Sequence, residues 1–85
     1  MYRYSVVDTN TQDRAIALQD PAGRYHVARS TSDMPSIGSH LEGELPHLGS
    51  SILLGRHGQV FTLIFDMVNA SQGDTFDRLH APLLP

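Results

Sequence analysis

Short runs of alternating apolar and polar residues, each ended by turn-forming residues, are the feature that most limits how this 85-residue chain can fold. An apolar residue at every second position places the apolar side chains of an extended strand on one face. Helical periodicity is nearly absent. The pattern therefore predicts an all-β protein with five or six strands, from segments that cover residues 2–8, 13–19, 24–29, 37–45, 50–54 and 59–68.

Two turns indicate how neighbouring strands pair. In Asp20-Pro21-Ala22-Gly23 the Asp side chain can bond the backbone of the turn, Pro presets φ, and Gly accepts the positive φ that closes a hairpin. This turn predicts an antiparallel hairpin of the second and third strands. A second hairpin is predicted at Gly55–Gly58, between the last two strands.

Short strands joined by tight hairpins favour a small antiparallel barrel, because closure pairs strand edges that a short chain cannot otherwise cover. We predict a barrel domain over residues 1–69. The alternation stops at Asn69, and residues 70–85 are predicted to form a C-terminal tail. Two alternatives stay open for this tail: a short helical turn that Asp74 caps and that carries Phe76 and Leu79, or a mobile segment.

The element order resembles an OB-fold, and among OB-folds it is most similar to the cold-shock type. The resemblance covers about residues 3–68 and is carried by Arg14–Leu18 and Arg24–Arg29, which stand where the cold-shock pattern has two strands rich in aromatic residues. It implies binding of single-stranded DNA or RNA on the outer face of these two strands. The chain departs from the pattern because Ala15 and Ala17 occupy positions of stacking rings, which each contribute about 1–3 kcal/mol per base.

Charge is unevenly distributed along the chain. The formal net charge is −3, no Lys is present, and four of the six Arg fall within the first 30 residues. An acidic chain supplies little counterion release at phosphates unless its Arg converge on one face. Alternation points His26 outward beside the two alanines, so the candidate ligand-binding residues are Arg14, Arg24, His26 and Arg29. The alternative is that these Arg only keep a β surface hydrated.

The last strand is apolar on both faces, which indicates that both faces are covered. Phe61, Leu63, Phe65 and Met67 form one face and are assigned to the barrel interior. The other face is a candidate interaction strand for a protein partner or a second copy of the chain, and it consists of Val60, Thr62, Ile64 and Val68.

Catalytic and metal-binding motifs are missing from the pattern. The chain has no Cys, its five His are widely spaced, and it contains neither a Gly-x-Ser-x-Gly elbow nor a phosphate-binding loop. We expect no enzyme activity, no metal and no cofactor. With no membrane-length apolar run and no signal-like segment, a cytoplasmic protein is expected.

Together these observations predict a non-catalytic binding module that mediates protein interaction or self-association. Weak binding of single-stranded nucleic acid through the Arg-bearing face is the alternative.

Overall fold

Six antiparallel strands and one C-terminal helix make up the computed structural model, which describes residues 1–80. The elements are β1 (Tyr2–Asn10), β2 (Ala15–Gln19), β3 (Tyr25–Ser30), β4 (His40–Gly43), β5 (Gly49–Gly55), β6 (Val60–Ala70) and α1 (Gln72–His80). Their order around the sheet is β1-β2-β3-β6-β5-β4, and pairing of β4 with β1 closes it. The prediction of a small antiparallel barrel is confirmed, with six strands.

Both predicted hairpins are present. In the first, the Gly23 N–H donates to the Asp20 carbonyl at 3.0 Å, and Gly23 has a φ of 82°. In the second, the Gly58 N–H donates to the Gly55 carbonyl at 3.3 Å, again with a φ of 82° at Gly58. Glycine is needed at both positions because a Cβ disfavours this left-handed backbone.

The predicted strand over 37–45 is shorter in the structure. It begins at His40, because Gly38 has a φ of 92° and turns the chain away from an extended path. The residues before β4 still bond to β1, since the Val6 N–H donates to the Ser39 carbonyl at 2.9 Å. This segment therefore extends the seam that closes the barrel.

The barrel interior is filled by apolar side chains from all six strands, with Ala28 as the contribution of β3. Those of Tyr4, Ile16, Leu18, Leu41, Leu53 and Leu63 are fully buried in it. Burying an aliphatic side chain of this size stabilises the fold by about 1.5–3 kcal/mol. A single core therefore holds the closed sheet without any disulfide.

The predicted tail forms helix α1 over residues 72–80, and residues 81–85 lie outside the described residues. The helix begins earlier than predicted, because Ser71 is the capping residue. Its hydroxyl accepts from the Asp74 N–H at 3.1 Å, and its carbonyl accepts from the Thr75 N–H at 3.0 Å. Asp74 instead lies in the first turn, where its negative charge interacts favourably with the positive end of the helix dipole.

Helix α1 closes a second, smaller core outside the barrel. Leu79 is buried there against Ala15, Ala17 and Val27. The end of the helix is tied to β1, because the Asn10 Nδ2 donates to the Leu79 carbonyl at 2.7 Å. The outer face of β2 and β3 is thus covered by the chain's own C-terminal helix.

Candidate binding surfaces

The outer face of β2 and β3, predicted as the ligand face, is occupied by α1. Ala15 and Ala17 are both buried, and small residues at these positions let the helix lie close to the sheet. The prediction that they are exposed was wrong. A helix cannot be inferred here from strand alternation, since the residues that make it lie more than 50 positions later in the sequence.

His26 points into the barrel, so its predicted outward orientation was also wrong. Its side chain has no exposed surface and packs edge-on against Tyr4 and Phe65. The register explains this, because His26 pairs with Leu18 across the hairpin, and cross-strand partners share a face. The turn at residues 20–23 already contained this signal, since it sets which residues of the two strands lie opposite each other.

A buried polar cluster joins three elements at this end of the barrel. The carboxylate of Asp20 accepts at Oδ2 from the Tyr2 O–H at 2.7 Å and from the His26 Nε2–H at 2.9 Å. At Oδ1 it accepts from the N–H groups of Ala22 and Arg24, both at 3.0 Å. Asp20 thus holds the hairpin turn and the barrel interior together with one side chain.

The hydrogen bonds fix the tautomer of His26. The Asn69 N–H donates to His26 Nδ1 at 3.0 Å, so the ring proton lies on Nε2 and faces Asp20. Burial raises the pKa of the Asp20 carboxyl, but the hydrogen bonds from His26, Tyr2 and Arg24 outweigh it, and the net pKa is lowered. The hydrogen bond to Asp20 and burial raise the pKa of the Tyr2 phenol.

This Tyr2–Asp20–His26 cluster is saturated. The side chains of Asp20 and His26 have no exposed surface, and both Asp20 oxygens and the His26 Nδ1 already accept hydrogen bonds. A catalytic acid or base must reach a substrate within hydrogen-bond distance. Through His26, the cluster joins the end of β6 to the first hairpin.

Of the three predicted arginines, Arg14 and Arg29 lie at the open end of the first hairpin, whereas Arg24 lies beside its turn. Arg14 directs its guanidinium to the backbone, with Nε donating to the Ser30 carbonyl at 2.9 Å and a second nitrogen donating to the Ser32 carbonyl. Arg29 forms an ion pair with Asp66 at 3.7 Å. Arg24 is exposed and makes no ion pair within residues 1–80.

The predicted interaction strand is only partly exposed. Val60 is 56% exposed, Thr62 and Ile64 are half-buried, and Val68 packs against the barrel core. Irregular pairing of β3 with β6 reverses the alternation near Val68. Val68 was therefore assigned to the wrong face, and so was Met67, which packs against the small core under α1.

An exposed apolar surface lies on the outer face of β5 and β6. Ile52 is 57% exposed and Leu54 38%, and Leu54 pairs directly with Val60 across the hairpin. We call Ile52, Leu54, Val60 and Ile64 the β5–β6 patch. Ile52 and Leu54 were not predicted as contact residues from the sequence, although the hairpin at Gly55–Gly58 places Leu54 opposite Val60.

His47 bridges the connection between β4 and β5. Its two ring nitrogens lie 3.1 Å from the carbonyl oxygens of Leu45 and Ser50. Both nitrogens must donate to satisfy both oxygens, so the contact favours the imidazolium. The hydrogen bonds to the Leu45 and Ser50 carbonyls raise the pKa of His47, desolvation opposes them, and the charge of nearby Glu44 adds to the rise.

Residues 1–80 contain no cluster of three or more His, Asp or Glu that could hold a metal ion. Over the same part of the chain, no helix has the length and apolar character required to cross a membrane. Comparison with protein-family models, with curated proteins and with solved structures gives no match.

Proposed function

We propose that this chain is a non-catalytic binding module that associates through the β5–β6 patch. The observation that carries the proposal is the contiguous exposure of Ile52, Leu54 and Val60, which are 57%, 38% and 56% exposed. Contiguous apolar surface of this kind is typical of contact sites, whereas single exposed apolar residues are not.

The closed barrel restricts how such contact can occur. Strand addition requires an unpaired edge, and closure of the sheet between β1 and β4 gives every strand of the barrel a neighbour on both sides. Association must therefore use a face of the sheet. The outer face of β2 and β3 is covered by α1, whereas α1, the one helix of residues 1–80, contacts β6 but not β5.

A second copy of the chain is the partner that suits the β5–β6 patch best. The patch contains no charged side chain, and an aliphatic surface is complementary to itself in a two-fold contact. Burying the exposed half of each of these side chains contributes about 1 kcal/mol to the free energy of association. The loss of translational and rotational freedom on binding offsets much of the sum of these contributions. We therefore expect a weak dimer that forms at high protein concentration.

The proposal includes a resemblance to OB-folds, as a small barrel that binds its partner on an outer face. The face proposed here is that of β5 and β6. Binding of single-stranded nucleic acid through β2 and β3 is the alternative and has less support. That face offers no free stacking ring, since His26 is buried and Tyr25 packs beside Phe76 with ring centroids 6.3 Å apart.

Sedimentation across a wide concentration range tests the proposal with a matched pair of variants. Ile52→Glu places a charge within the patch, whereas Ile37→Glu places it at a residue that is 61% exposed and outside the patch. We expect concentration-dependent association in the wild type and in Ile37→Glu, and its loss in Ile52→Glu. A wild type that stays monomeric at millimolar concentration, or equal behaviour of the two variants, would refute self-association through this surface.

A further inference from the structure

A groove on the outer face of β1 and β4 lies between the two hairpin turns. Its volume is about 550 Å³, within the range of sites that hold small organic ligands. The row Gln19, Ser5 and His40 crosses its floor, since Ser5 pairs with both of the others. Pro21 from the first turn and Arg56 from the second stand at its two sides.

Three cationic or protonatable side chains face this groove: Arg3 from β1, His40 from β4 and Arg56 from the second turn. Arg56 is exposed and has no carboxylate within ion-pair distance among residues 1–80. A guanidinium offers a planar fork of donors that matches the oxygens of a phosphate or a carboxylate. The groove therefore presents a free anion-binding group beside two further donors.

Glu42 occupies part of this cationic environment. Its Oε1 lies 3.6 Å from the Arg3 Nε, and both side chains are largely exposed. An exposed ion pair of this kind is weak and exchanges easily. An incoming anion can replace Glu42 at Arg3, so Glu42 acts as an internal competitor. The other carboxylate at the groove, Asp20, is already saturated by four donors.

Two apolar side chains border the polar floor of the groove. Leu54 is 38% exposed at its edge, and Pro21 lies on the side of the first turn. A ligand that fills the groove therefore combines an anionic head with a compact apolar body. We propose that this groove is a binding site for a small organic anion, held at its phosphate or carboxylate by Arg56, Arg3 and His40.

NMR titration with phenyl phosphate tests the site, with inorganic phosphate and benzyl alcohol as probes of the head and the body alone. We expect phenyl phosphate to shift the resonances of Arg3, His40 and Arg56 and to bind more tightly than either fragment. Absence of shifts at these residues with millimolar phenyl phosphate would overturn the proposal. Equal binding of inorganic phosphate and phenyl phosphate would overturn the role of the apolar body.

Variants of the groove separate this site from general charge effects. Arg56→Gln should weaken phenyl phosphate binding about tenfold, because it removes a charge-assisted hydrogen bond. Glu42→Gln should strengthen it by several-fold, because it removes the competitor. Arg78→Gln removes the same charge from α1, outside the groove, and should leave the affinity unchanged. If Arg78→Gln weakens binding as much as Arg56→Gln, the anion is attracted by overall charge and the site is refuted.

Discussion

Replacing Asp20 by Asn should destabilise the barrel far more than the loss of one surface charge would. The carboxylate accepts four hydrogen bonds and its side chain has no exposed surface. The side-chain oxygen of Asn can still accept the hydrogen bonds of the turn. Its NH₂ group then faces the His26 Nε2–H, and both of these groups are donors. If the His26 proton moves to Nδ1, it meets the Asn69 N–H instead.

Either arrangement leaves a buried donor without an acceptor. Such a donor costs about 1–3 kcal/mol, and the charge-assisted bonds that are lost add to it. We expect Asp20→Asn to lower the free energy of unfolding by about 2–4 kcal/mol. A chain of 85 residues has a total stability of about 4–13 kcal/mol, so the loss is a large fraction of it.

Urea denaturation followed by circular dichroism measures this change, with Asp33→Asn as a control at an exposed carboxylate. The pH dependence adds a second test. The pKa of Asp20 is lowered in the folded state, so its stabilisation is present above the ordinary Asp pKa and is lost as the pH falls below about 4. The Asn variant should lack that acid loss. A change below about 1 kcal/mol at neutral pH would refute the reasoning.

Three further perturbations follow from the fold. Leu79→Ala should lower the free energy of unfolding by about 2–4 kcal/mol, and hydrogen exchange should show loss of protection in α1. Gly43→Ala should lower the free energy of unfolding by about 1–3 kcal/mol, because its Cβ would lie 2.8 Å from the Ile52 carbonyl oxygen. In Gly73→Ala the Cβ meets no neighbouring atom, so this variant should stabilise α1 by up to about 1 kcal/mol. Thermal denaturation compares the two variants. The pKa of His47 is raised in the folded state, so the stabilisation from its protonated ring is complete below about pH 6.5 and is lost as the pH rises. In His47→Gln the free energy of unfolding, measured by denaturation across that range, should depend less on pH.

The strands and turns were predictable because they depend on neighbouring residues. Alternation in the segment 2–8 and the turn at Asp20–Gly23 each determine local structure within about ten residues. The closed barrel then follows from the need to pair strand edges. Pairing of β1 with β4 and of β3 with β6 was not specified by any local pattern.

The errors arose where distant residues decide which face is covered. Ala15 and Ala17 are compatible with an exposed strand until Leu79 packs over them. His26 was assigned from alternation within its own strand, whereas the hairpin register determines its side of the sheet. The face on which Val68 lies depends on an irregularity in the pairing of β3 with β6, which alternation in the sequence cannot indicate. The groove on β1 and β4 was not predicted for the same reason, because it joins residues from β1, β4 and both hairpin turns.

Helix α1 also has a consequence for synthesis of the chain on the ribosome. The residue that covers the outer apolar face of β2 and β3, Leu79, is made more than 50 residues after Val27, the last buried residue of that face. Barrel closure likewise waits for β6. The nascent chain therefore carries an uncovered apolar sheet until β6 and α1 have been made, and this domain reaches its native state only after both are available.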